Sequence, residues 1–125
     1  MNEKRPIDYA GRAIWDSMFY YAASYKPTPE NARAMESYLT SQVQLIQNLC
    51  PKCSLNYKQK LDRFPLKYYL NSADDLIFLI YTFKDIVNKF QGKVSPPFLK
   101  VKQHYFSRVN KRCLECEGAQ SQGAF

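Results

Sequence analysis

Apolar residues return every three or four positions through four successive segments of this chain, and each segment is bounded by residues that start or stop a helix. This period of 3.6 is the constraint that decides what the sequence can fold into. The first segment runs from about Tyr9 to Tyr25 and places Ile14, Trp15, Met18, Ala22 and Tyr25 on one face. The second opens at Thr28-Pro29-Glu30, a capping residue followed by proline at the first helical position, and carries Met35, Leu39, Val43 and Ile46 to about Leu49. The third begins at Cys50-Pro51-Lys52-Cys53, aligns Cys53, Tyr57, Leu61 and Phe64, and stops at Pro65. The fourth opens at Ser72-Ala73-Asp74-Asp75, whose acidic residues suit the positive end of a helix dipole. Its apolar set is Leu76, Leu79, Ile80, Phe83, Ile86, Val87 and Phe90, with Gly92 as the stop. A shorter helix is expected from Phe98 to Val109, after Pro96-Pro97.

These signals predict an all-α fold, a four-helix bundle with a short fifth helix. Glycine is scarce, with four in 125 residues, which disfavours a turn-rich sandwich. The expected organisation is one domain over residues 1–110 and a tail over 111–125 that carries the second C-x-x-C, with no periodicity from Glu117 to Phe125. The start, MNEKRPIDYAG, is charged and lacks the apolar run of a secretory signal. The longest apolar run, Leu76 to Tyr81, is too short to span a bilayer. Net charge is +7, and Lys100, Lys102, Arg108, Lys111 and Arg112 crowd the last third. A nucleic-acid surface has this signature, but so does a solvated face, and the solvated face is the reading adopted.

A reducing compartment is expected, and four cysteines in two C-x-x-C pairs then point to metal or redox chemistry. Cys50, Cys53, Cys113 and Cys116 could hold zinc as four thiolates. The 59 residues between the pairs are far more than the ~15–20 of a zinc ribbon. For redox chemistry, Cys50 falls at a helix start with Pro51 behind it and Lys52 beside it. Such a setting lowers a thiol pKa. With no strand–helix alternation, a thioredoxin-type sheet is excluded. Both the zinc and the redox readings stand on these residues alone.

The segment GRAIWDSMFYYAASYKPTPE, residues 11–30, resembles the opening helix of the Erv/ALR family of FAD-linked sulfhydryl oxidases. That family begins with Gly-Arg-x-x-Trp and often continues through Ala-Ala-x-Tyr to Pro-Thr-Pro-Glu. Its redox C-x-x-C heads the third helix, as Cys50 and Cys53 do here. Lys84-Asp85-Ile86-Val87-Asn88 and Gly92-Lys93 stand in the register of the family's His-Asn-x-x-Asn and Gly-Lys. The likeness covers about residues 8–108, and residues 71–83 look most like the viral members.

The resemblance implies noncovalent FAD at the mouth of the bundle and, usually, a homodimer. It implies thiol-bearing proteins or a dithiol carrier as substrate and oxygen as acceptor, giving hydrogen peroxide. It assigns Cys53 to the flavin contact and Cys50 to attack by incoming thiols. It places Gly11, Arg12, Trp15, Val87, Asn88 and Lys93 in the cofactor site, with Tyr105 where the family has a tryptophan near adenine. Phe19 stands where many members have histidine, and Lys84 and Asp85 replace the His-Asn pair. Leu61 and Leu99 fall near the positions of a structural disulfide in cellular members. Cys113 and Cys116 match an extra pair that shuttles electrons in several members. The viral likeness implies residence in the host cytoplasm or the virion.

Overall fold

The computed structural model describes residues 3–111. Five α-helices follow one another: α1 (Pro6–Ala23), α2 (Pro29–Gln47), α3 (Pro51–Arg63), α4 (Ala73–Phe90) and α5 (Phe98–Val109), with a single 3-10 turn, Leu66–Tyr68, before α4. No strand occurs among the described residues. The all-α expectation holds.

Local chemistry sets the helix ends. Asp8 accepts a hydrogen bond from the Arg5 backbone N–H at 2.8 Å, closing the first turn of α1. Thr28 accepts from the Asn31 N–H at 3.1 Å and Ser72 from the Asp75 N–H at 3.0 Å, both as N-caps. Gly92 has φ of 74° just beyond α4, a backbone state that glycine adopts without cost. Two expected boundaries move. Helix α1 begins at Pro6, ahead of Tyr9, because Asp8 supplies the cap. It ends at Ala23, so Tyr25 lies beyond the helix, yet it is buried and donates its hydroxyl to the Leu70 carbonyl at 2.7 Å.

Helix α2 packs on α3, while α1 packs on both α4 and α5. The α2–α3 pair is antiparallel, since the Ser54 hydroxyl donates to the Val43 carbonyl and Tyr57 to the earlier Leu39 carbonyl. Phe83 of α4 joins the two groups. It is fully buried, with its ring 6.1 Å from those of Tyr57 and Phe64. The same buried cluster contains Met18, Leu39, Leu76, Leu79 and Ile80. Phe90 departs from the expected core set. It sits on the last residue of α4, past the reach of the neighbouring helices, and is 82% exposed. Ile77, which the periodic face omitted, is buried because α4 is covered on more than one side.

Among the described residues no helix is long and apolar enough to cross a membrane.

Candidate functional site

Two features carry chemistry, and the first is the head of α3. Cys50 is its N-cap, in an extended conformation, and Pro51 takes the first helical position. The Cys50 N–H donates to the Ile46 carbonyl at 2.8 Å, and the Ser54 N–H donates to the Cys50 carbonyl at 3.0 Å. Cys50 Sγ accepts from the Cys53 N–H at 3.1 Å. Sulfur thus caps one of the amides that a helix start leaves unpaired. Cys50 and Cys53 are joined by a disulfide. Both are half-buried, and Cys53 packs against the core.

Below the disulfide, polar groups pin α3 to α2. Ser54 is 2% exposed, and its hydroxyl satisfies itself on the Val43 carbonyl. One turn on, Tyr57 is buried and bonded to the Leu39 carbonyl. Burial raises its pKa far above the ordinary phenol value, so it stays a neutral donor. These bonds hold the first turn of α3 in register with the end of α2, and with it the two sulfurs.

The second feature is a cleft of about 350 Å³ between α1, α4, α5 and the segment joining α4 to α5. Phe19, Lys84, Asn88 and Tyr105 line it, together with Tyr81, Ser95, Pro96, Lys100, Val101 and His104. Phe19 and Tyr105 stack on each other at 4.7 Å and 7°. The Tyr105 hydroxyl donates to Asp16 at 2.7 Å. Burial, and then this bond to a carboxylate, push its pKa well up. Lys84 Nζ lies 5.3 Å from the centre of the Trp15 ring, a cation–π distance. Desolvation, and then the charge of Lys93, lower the Lys84 pKa.

The far wall of the cleft is fastened by a short polar chain. Asn88 Nδ2 donates to Ser95 Oγ at 3.0 Å, and Ser95 Oγ donates to Asp85 at 2.6 Å. Lys89 closes on the same carboxylate at 2.9 Å. The Tyr81 hydroxyl adds a bond to the Pro96 carbonyl at 2.6 Å. The Ser95 bond, and then Lys89, hold the Asp85 carboxyl below its ordinary value of 3.8. A depressed carboxyl contributes its stability above the unfolded-state pKa and loses it as pH falls through the folded-state value. The Asp85 midpoint, followed by NMR, is therefore expected below 3.8 and should return towards it in Ser95→Ala. A midpoint unmoved by that substitution would contradict the bond.

The residues expected at a cofactor site are partly gathered. Phe19, Lys84, Asn88 and Tyr105 share the cleft, and Trp15 adjoins it through Lys84 and through the Phe19 ring at 6.5 Å. Gly11 and Arg12 lie one turn before Trp15. Nothing stands within 4 Å of where a Gly11 Cβ would be, and the Arg12 side chain is 94% exposed, with its Nε 3.8 Å from Asp16. Val87 is half-buried on α4, and Lys93 is exposed, its N–H donating to the Asn88 carbonyl at 2.7 Å. Asp85 turns to Ser95 and Lys89 and is not part of the cleft lining. Cys53 is not part of it either. Leu61 packs on the core, whereas Leu99 is 73% exposed. Cys113 and Cys116 lie outside the described residues.

Lys100 and His104 were missed as cleft residues. Their signal was available in the register of α5, where Lys100, Val101, His104 and Tyr105 repeat at helical spacing and share a face. His104 Nε2 is 2.8 Å from Arg108 Nη1.

Among the described residues no group of three or more histidine, cysteine, aspartate or glutamate side chains is placed to hold a metal. The zinc reading also needs Cys113 and Cys116, which are not among the described residues. No family model, curated protein or solved structure matches the chain.

Proposed function

We propose that this chain is an FAD-dependent sulfhydryl oxidase, forming disulfides in substrate thiols and working as a homodimer. The observation that carries this reading is the Cys50–Cys53 disulfide at the head of α3, in an all-helical bundle whose order of motifs resembles the Erv/ALR family.

The cleft residues suit a nucleotide. Its volume is at the small end of ligand sites, enough for one end of a dinucleotide. Tyr81 and Tyr105 offer aromatic edges to a base, and Lys84 and Lys100 offer cations to phosphate. Trp15 and the open surface over Gly11 extend the same side of the molecule. FAD held there would accept the electron pair and hand it to oxygen.

The chain's own residues perform the thiol chemistry. A substrate thiolate attacks Cys50 Sγ, the sulfur at the outer end of the helix cap. The new sulfur–sulfur bond forms as the Cys50–Cys53 bond breaks, and the electron pair leaves on Cys53. A second substrate thiol then attacks the mixed disulfide, releasing oxidised substrate and Cys50 as a thiolate. The Cys53 N–H and the positive end of α3 stabilise that anion. Cys53 packs against the core, which restricts the directions from which an external thiol can approach it.

The reading is tested by a visible absorption spectrum of the purified protein, repeated after denaturation and filtration. A flavin spectrum whose chromophore passes the filter only after unfolding is the expected result. A colourless protein that remains colourless when refolded with excess FAD would overturn it.

A further inference from the structure

The α2–α3 hairpin that presents the disulfide carries no carboxylate side chain anywhere between Glu36 and Asp62. At ~1.5 Å per helical residue, Asp62 lies about 13 Å along α3 from Cys53, and Glu36 is further still along α2. Both distances exceed the ~8 Å screening length at physiological ionic strength. The charges nearer the disulfide along the hairpin are all positive. Lys52 sits between the two cysteines and is exposed. Lys58 follows, 3.4 Å from Asp62, and then Lys60, half-buried with its Nζ 3.4 Å from the Asn56 carbonyl. The amides at the head of α3 add to the same sign. Two leucines at this end of the hairpin, Leu45 and Leu55, are each 55% exposed.

We infer that this surface selects its thiol donor by charge, and that the donor is an acidic, cysteine-bearing peptide segment with an apolar side chain beside its thiols. This rests on the thiol-exchange part of the proposed function and names its substrate class. The attacking group is itself an anion, so a positive local field raises its concentration at Cys50 and stabilises the transition state through which negative charge passes between sulfurs. Flanking acidic residues add to that attraction, and flanking lysines oppose it. A small anionic thiol would share the charge preference. The exposed leucines give a peptide an additional footing that a small thiol cannot use. The exchange is balanced: two peptide thiols become one disulfide, the Cys50–Cys53 bond becomes two thiols, and the two protons pass between them through solvent.

The test measures anaerobic reduction of the Cys50–Cys53 disulfide by two Cys-x-x-Cys peptides, one flanked by Glu and Leu and the other by Lys and Leu, with glutathione as a third donor. Alkylation and peptide mapping report each cysteine separately, and rates are expressed per thiolate. The acidic peptide should react about tenfold faster than the basic one at low ionic strength, with the gap closing near 1 M salt. Lys52→Glu should bring the ratio to one or below. That variant should fold, because an acidic residue in the first turn favours a helix. Leu55→Ser should slow the acidic peptide and leave glutathione unchanged. Equal rates for the two peptides, or a ratio unmoved by Lys52→Glu, would overturn the inference. If Leu55→Ser leaves the peptide rate unchanged, the peptide assignment falls and a small anionic thiol takes its place. No flavin is needed for this readout. A disulfide that exchanges as described in a protein without flavin would sink the oxidase reading and keep this one.

Discussion

Cys53→Ser is expected to reduce dithiol-driven oxygen consumption by on the order of a thousandfold or more, to background, while the protein stays helical. The substitution removes the leaving sulfur of the first exchange and, among the described residues, the partner with which Cys50 forms its disulfide. Oxygen uptake measured with dithiothreitol, alongside circular dichroism, separates loss of chemistry from loss of fold. The structural cost should be modest. The loop closed by this disulfide is very short, and such a loop restricts the unfolded chain by only about 2 kcal/mol. Cys50 Sγ can still accept from the Cys53 position's N–H, since that bond uses backbone. Appreciable uptake remaining in Cys53→Ser would show that the electrons take another route and would remove the proposed role.

The largest stability effect is expected at Phe83. Phe83→Ala should cost about 4 kcal/mol, read from urea or thermal unfolding. Its ring is fully buried and meets Tyr57 and Phe64, so it joins the α2–α3 pair to α4. Those neighbours cannot collapse freely into the space. Tyr57 is tethered by its hydroxyl to the Leu39 carbonyl, and Phe64 sits at the C-cap of α3. Domains of this size hold ~5–15 kcal/mol in total, so the loss is a large fraction of the whole. Phe90→Ala provides the comparison. It lies on the same periodic face by sequence but is 82% exposed, and its removal should change stability by less than ~0.5 kcal/mol. Similar costs at the two positions would mean that Phe90 is covered in solution.

Much of the helical framework was legible in the chain. Thr28 with Pro29, Cys50 with Pro51, Ser72 with its acidic followers, and Gly92 act through bonds that span three or four residues. Their effect is local, so their position in the sequence is their position in the fold. The placement of Cys50 as a helix cap belongs to this group, whereas the residues alone left metal binding and disulfide formation both open to the pair. The same signals misplaced the start of α1, where the cap is formed by Asp8 and the Arg5 backbone, a pairing that Pro6 alone did not advertise.

The cleft is of the other kind. Tyr105 reaches Asp16 across 89 positions, Lys84 rests over Trp15, and Ser95 joins Asp85 to Asn88 through a bend beyond α4. Periodicity identifies which face of each helix is apolar, but not which helices meet or what their polar edges find when they do. That is why Lys100 and His104 entered the lining unannounced, and why Asp85 proved to be a fastening for the α4–α5 segment. Five helices, most of their ends and a cysteine pair suited to redox or metal chemistry follow from the chain alone, because bonds within a turn depend only on neighbours in the sequence. The tertiary structure alone decided the joint at Phe83, the exposure of Phe90 and the walls of the cleft, because those follow from contacts between segments that the chain brings together only on folding.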